Sequence, residues 1–357
     1  MTHLWLRAEE RPNERRVALM PGGVADLRAV GLRVTVEDSA ERVVPIGDFA
    51  AAGADVAARG SWRGAPSEAI VLGLKELPDD GTPLTHRHIM FGHAYKGQPA
   101  GQRLLAQFVE GGGTLLDLEY LTDPDGRRLA AFGHWAGYTG AGVSLLAWVA
   151  QARGEICPPV DVWSAEQALL ADAQEAMIRL GTARPRPRVL IVGAKGRVGG
   201  GASAFCRHLG LDQTLWDVAE TAHGGPFPEV LAHDIFLNCI LAAPGAPVFV
   251  PAAAKAAQRT LRVIGDIACD PTSEFSPIKV YDAVTDWASP ARRVADAPPL
   301  DVMAIDNLPS LLPAESSADF AQQLLPLLAE LPAWEAAPDA PGPWARAAAT
   351  FARHTGA

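Results

Sequence analysis

Two α/β domains on mostly parallel sheets, with a cleft between them, are what this sequence predicts, on three observations. Its 357 residues exceed one ordinary domain. Short apolar runs alternate with helical stretches through both halves, the rhythm of parallel strands joined by crossover helices. In the second half, one apolar run opens straight into a glycine-rich turn and a helix, the local arrangement of a nucleotide-binding Rossmann-like domain, and the first half shares its strand–helix rhythm, so two Rossmann-like domains are expected.

The elements follow in order. Leu4-Trp5-Leu6-Arg7 reads as a first strand and leads into a charged loop, Glu9 to Leu19. Pro21 starts a helix that Gly31 closes, because proline suits a first helical turn and glycine the turn after the last. Further strands are expected at Arg33–Glu37, Ala69–Gly73, His88–Phe91 and Thr114–Asp117. A long helical stretch from Ala136 to Ala152 has no neighbouring strand and reads as a connector between domains. Arg184-Pro185-Arg186-Pro187 then introduces the apolar strand Arg188–Gly193, with later strands at Thr214–Asp217, Asp234–Asn238 and Arg262–Asp266. From Ser317 to Glu330 the pattern is helical, and an Ala/Pro-rich tail ends in a short helix near Trp344 to His354.

Composition narrows the function. A net charge of −10 argues against a nucleic-acid partner. The start carries no signal-like apolar region, and no stretch reaches the ~18 apolar residues of a membrane span, so a cytoplasmic protein is expected. Cys157, Cys206, Cys239 and Cys269 lie apart without a CxxC pair, as reduced thiols would, and no metal site is visible. Arginine outnumbers lysine 26 to five. In such a chain a retained lysine stands out, because an amine can lose its proton and a guanidinium cannot.

The glycine-rich turn is Gly193-Ala194-Lys195-Gly196-Arg197-Val198-Gly199. Between a strand and a helix, its bare amides suit a dinucleotide pyrophosphate, although Ala194 takes the first glycine position of the usual pattern. Asp217, at the end of the next strand, suits the ribose hydroxyls and repels a 2′-phosphate, which favours NAD.

The first half collects polar residues just after its apolar strands: Arg15-Arg16, Lys75-Glu76, His93 to Gln98, and Asp117-Leu118-Glu119 with Arg127-Arg128 beyond. Each alone has an ordinary structural explanation: a solvated arginine face, a surface pair, a core histidine, a helix cap. Together, at strand carboxyl ends, they suit one small substrate. Arginines suit carboxylates, glutamates suit an ammonium, and Lys and His suit proton transfer near neutral pH. Lys75, after an apolar strand, is expected to be buried and thereby to favour its neutral form.

With these residues in view, the chain resembles the saccharopine dehydrogenases of the NAD, lysine-forming type. The resemblance rests on Arg7-Ala8-Glu9, Glu14 to Leu19, Gly73-Leu74-Lys75-Glu76, Gly113 to Glu119, Gly126-Arg127-Arg128, Gly224-Gly225-Pro226-Phe227 and Ile305 to Pro313, and runs over nearly the whole length. It implies oxidative deamination of saccharopine to lysine and 2-oxoglutarate. By resemblance, Lys75 and His93 are the acid–base pair, and Arg16, Glu76, Lys96, Gln98, Glu119 and Arg128 bind substrate. The cofactor positions are Arg127, Gly193, Gly196, Arg197, Val198, Asp217, Thr221, Ile305, Asp306 and Leu308. The implied layout is a substrate domain of 1–132 with 318–357, and an NAD domain of 133–317; a monomer is the working expectation. The chain departs from the family pattern at Val198, at His134 and over 266–290. Two rivals stand beside this reading: a related amino-acid dehydrogenase of the alanine or opine type, and a catalytically silent NAD-binding sensor.

Overall fold

The computed structural model describes residues 1–181, 185–241 and 243–356. Arg184, in the Arg-Pro lead-in, lies outside them. The chain divides into two compact units, Met1–Ala131 with Pro313–Ala357, and Phe132–Leu312.

In the first unit the strands are β1 (His3–Leu6), β2 (Arg33–Glu37), β3 (Asp55–Ala57), β4 (Ile70–Leu72), β5 (Arg87–Met90) and β6 (Thr114–Asp117). They form one sheet in the order β3-β2-β1-β4-β5-β6, and every pairing is parallel. Strands β1, β4, β5 and β6 are therefore adjacent, with their carboxyl ends along one edge. The order reverses between β1 and β4, the place where ligands gather on open α/β sheets. The helix Pro99–Gly111 turns its apolar side to the core, where Leu104 and Phe108 pack with Val71, Met90 and Leu115. The three helices from Pro313 onward return to this unit. Trp344 Nε1 donates to the Leu327 carbonyl at 2.8 Å, and the Val17 amide donates to Ser317 Oγ at 2.9 Å.

In the second unit the strands are β7 (Val189–Val192), β8 (Gln213–Trp216), β9 (Ile235–Asn238), β10 (Val263–Asp266), β11 (Arg292–Asp296) and β12 (Pro299–Met303), in the order β11-β12-β10-β9-β7-β8. All pair in parallel except β11 on β12. Both faces of this sheet are covered. Val189 and Ile191 of β7 enter one core, and Leu190 and Val192 enter the other. Alternate side chains on a strand point to opposite faces, so a run that is apolar throughout is one buried on both sides.

The stretch expected to be a connector is corrected here. Its helix spans Gly133–Ala152, lies within the second unit and packs against β9, β10, β12 and the helix Arg197–His208. It is apolar nearly all round because it is buried nearly all round. The crossing is backbone on backbone: a Cβ on Gly137 would stand 1.8 Å from the Val198 carbonyl oxygen, and one on Gly201 1.8 Å from that of His134. The helix thus braces the one that follows the glycine-rich turn.

Candidate active site

Along the carboxyl edge of the first sheet, two charged groups form at neighbouring strand ends. After β1, Arg15 is exposed and Arg16 is buried. The Arg16 guanidinium donates from Nε and Nη2 to the two carboxylate oxygens of Glu14, at 2.8 and 2.6 Å. Burial pushes the Glu14 carboxyl up, but the Arg16 guanidinium and the Lys75 ammonium outweigh it and hold the acid at about 2. After β4, the Leu74 and Lys75 amides donate to Glu9 at 2.7 and 3.0 Å, and the Arg7 guanidinium donates to the Lys75 carbonyl. Gly73 is required for this: a Cβ there would lie 2.3 Å from Arg7 Nε. The expectation that Lys75 is buried is corrected. Its side chain is half-buried, with the Glu14 carboxylate near enough to feel its charge, because the loop after β4 turns out toward solvent at Glu76.

The second group joins β5 to β6. His93 is over half exposed and holds a left-handed backbone, φ 49°. That conformation is costly for a residue with a Cβ and is kept only where the surroundings enforce it. The His93 ring stacks on Phe91 and presents Nδ1 to Glu119 Oε1 at 3.5 Å. Arg128 donates to the same oxygen at 3.0 Å. The hydrogen bond from His93 comes first, and it holds the Glu119 carboxyl at about 2 against burial, with Arg128 and Lys96 adding their charges. Glu76, His93 and Gln98 line one cavity of about 330 Å³ with Leu77, Asp79 and Leu104. Lys96 and Gln98 are exposed on the loop before the helix Pro99–Gly111, and Arg127 is exposed in the turn after β6.

Two residues carried no assigned role in the sequence reading. Glu14 lies two positions before Arg16, a spacing that could have signalled the pair. Asp117 ends a buried strand, and a charge in such a place is itself a signal.

In the second unit, β7 ends in the glycine turn and the helix begins at Arg197, with Gly196 as its N-cap. Gly193 has φ 79°, and the Gly193 and Ala194 amides both donate to the Trp216 carbonyl. A Cβ at Gly199 would fall 2.1 Å from the Gly193 carbonyl oxygen, so only glycine allows this turn to close. Asp217, after β8, accepts from the Lys195 amide at 2.9 Å and the Val218 amide at 2.9 Å. Those bonds hold its carboxyl below the ordinary value, and it keeps oxygen lone pairs for further donors. Thr221 Oγ1 donates back to the Asp217 carbonyl at 3.0 Å. Ile305 and Leu308 are buried and Asp306 is exposed, on the segment after β12. A tight glycine turn, a helix start and an acid at the neighbouring strand end fit a nicotinamide dinucleotide.

Residues 5–139 match the family model for the alanine dehydrogenase/PNT N-terminal domain. The chain is 43% identical to the NAD(+), L-lysine-forming saccharopine dehydrogenase of Neurospora crassa, over 98% of this chain and 95% of that protein. It is 42% identical to that of Candida glabrata, over 99% and 96%. The chain belongs to this saccharopine dehydrogenase family. Among solved structures, an L-alanine dehydrogenase superposes with a TM-score of 0.68 at 18% identity, covering 99% of this chain and 94% of that one, a likeness of fold. Of the family departures, His134 lies in the bracing helix and stacks on Tyr138, in the second unit. Among the described residues no helix is long and apolar enough to cross a membrane, and no group of His, Cys, Asp and Glu could hold a metal.

Proposed function

We infer that the chain is an NAD-dependent oxidoreductase of CH–NH donors that catalyses the reversible oxidative deamination of saccharopine to L-lysine and 2-oxoglutarate. Bound NAD supplies the two-electron acceptor for the hydride of the glutaryl Cα. The remaining steps are proton transfers and water addition. The secondary amine loses its proton as the C–N bond becomes an imine. Water adds at that carbon, and the carbinolamine collapses as the C–N bond breaks, leaving the 2-oxo carbonyl and the ε-amine of lysine.

His93 and Lys75 carry these proton transfers. Both can gain and lose a proton, as the chain's many arginines cannot. Arg16 and Arg128 take substrate carboxylates. Each is already aligned by an acid, Glu14 or Glu119, and each guanidinium has five N–H donors to share. Glu76 and Glu119 suit the free ammonium, with Lys96 and Gln98 at the same strand ends. In the second unit, the turn at Gly193, Gly196, Arg197 and Val198 takes the pyrophosphate. Asp217 and Thr221 take the ribose, and Ile305, Asp306 and Leu308 complete the cofactor contacts of that unit. The acid at Asp217 favours NAD over NADP.

The observation that carries this reading is the meeting of His93, Glu119 and Arg128 beside Lys75, Glu14 and Arg16, at adjacent parallel strand ends of a saccharopine dehydrogenase family chain. NADH absorbance tests it. NADH should be consumed with lysine plus 2-oxoglutarate. Consumption only with pyruvate plus ammonia would replace the reading with an alanine dehydrogenase. NADH binding without turnover of any amino donor would replace it with a sensor.

A further inference from the structure

Asp117 stands at the carboxyl end of β6, directly behind the His93–Glu119 pair, and its side chain is fully buried. Oδ1 accepts from the Glu119 amide at 2.8 Å. Among the described residues Oδ2 has no well-formed hydrogen bond, while the Gly92 backbone N–H lies near enough to the carboxyl to favour its charged form. That oxygen faces the Gly92–His93 turn, where a Cβ on Gly92 would lie 3.2 Å from it. A buried carboxyl with one oxygen poorly paired is a standing cost, of the kind found where function rather than stability keeps a group in place. The same turn holds His93 in its left-handed conformation, so two costly features lie back to back.

We propose that Asp117 is a positioning residue for the proton-transfer site: its carboxylate holds the Glu119 backbone with one oxygen and faces the Gly92–His93 turn with the other, so that Glu119 meets His93. The proposal rests on the reading of His93 as an acid–base group.

The charges around Asp117 are asymmetric. Its own loop brings Glu119 and Tyr120, and the β5 loop brings His93 and Tyr95. The helix Pro343–Thr355, packed along β6, brings His354, which stacks on Tyr95, and Arg353, which bonds within its own helix. Lys96 and Arg128 act on Glu119. The two acids of one short loop are thus driven apart. Glu119 is held near 2, while burial first, and then the Glu119 charge, pushes Asp117 up to about 6. A buried acid raised in this way favours the fold most at low pH, and that contribution is lost as pH rises through about 6.

Asp117→Asn keeps the shape and an acceptor for the Glu119 amide while removing the charge. At pH 8 the variant should melt above the parent, because no buried charge remains. Its kcat should fall by about tenfold or more. The acid limb of its kcat profile should lose an ionisation near 6, with the KM for NAD unchanged. A merely structural aspartate would not make a variant both more stable and slower. Asp117→Ser, which keeps an acceptor in a smaller side chain, serves if the Asn variant does not fold; failure of both to fold would assign Asp117 to the fold and overturn the proposal. An Asn variant with the parent's kcat and acid limb, beside an inactive His93→Gln, would overturn the proposal alone. Full turnover by His93→Gln would instead remove the acid–base reading beneath it.

Discussion

The two units put opposite materials at the same place on the same kind of sheet. At its carboxyl edge the first unit collects charged side chains held by one another, Arg16 by Glu14, and Arg128 and His93 by Glu119, while Glu9 fixes the loop that carries Lys75 by accepting from its backbone amide. The second unit presents backbone: Gly193, Gly196 and Gly199, with Asp217 as the acid beside them. A phosphate needs several donors at short range and no particular side chain, which a helix start supplies. A small amino acid with several charges and a C–N bond to break needs charge and proton transfer, which only side chains supply. The fold is reused, and the chemistry is set by what the strand ends carry.

If that contrast holds, the largest single effects belong to the first unit. Lys75→Arg and Lys75→Met should each lower turnover by roughly 10²-fold or more, as should His93→Gln, with NAD affinity barely changed. The double variant should lose less than the product of the single losses if the residues act as a unit. Steady-state rates across pH with saccharopine and NAD would show it. A Lys75→Arg enzyme with near-normal turnover would make Lys75 a fixed charge, and the contrast would then rest on His93 alone.

Next comes Arg128. Removing one arginine from a paired carboxylate contact costs about 1.5–3 kcal/mol, so Arg128→Ala should raise the KM for saccharopine or 2-oxoglutarate more than tenfold. An unchanged KM would take Arg128 out of the site and leave it as the partner of Glu119. Asp217→Ala should do less, because backbone amides remain. The preference for NAD over NADP should relax by about tenfold, the worth of one charged hydrogen bond. Equal use of both cofactors by the unmodified chain would end the role given to Asp217.

The smallest expected effect is one of stability. The Glu14 carboxyl is held at about 2 in the fold, below its unfolded value. Its contribution is therefore present above about pH 4.3 and lost as pH falls toward 2. Calorimetry between pH 5 and pH 3 should show the melting temperature fall by a few degrees. Glu14→Gln should start lower, because the Arg16 guanidinium loses that carboxylate, and should fall less across the same window. An equal fall in both would remove Glu14 as the source.

What the sequence made legible follows from signal strength. Runs such as Ile70–Leu72 and Val189–Val192 announce buried parallel strands, because being apolar throughout is the mark of burial on both faces. β3 was not read: two of its three residues are exposed, and it sits at the sheet edge. β11, a half-exposed antiparallel edge strand, went unread for a similar reason, and β12 went unread although it is buried and interior, because it begins with a proline, which argues against a central strand. Gly133 and its neighbours did not look like a helix start, because glycine is a poor helix former. There the contact with Arg197–His208 overrides local preference.

The sequence by itself determined the class of fold, the strand ends where polar residues gather, and the types of chemistry those residues can do. All three are local properties of pattern and composition. Only the tertiary structure decided which charges meet. Glu14 neutralises Arg16 and faces Lys75 from a different strand end, and Glu119 collects His93 and Arg128. Asp117 and Glu119, two residues apart and alike in chemistry, are driven to opposite ends of the acid range. Burial and neighbouring charge set a carboxyl's proton affinity, and both come from parts of the chain brought together only by folding.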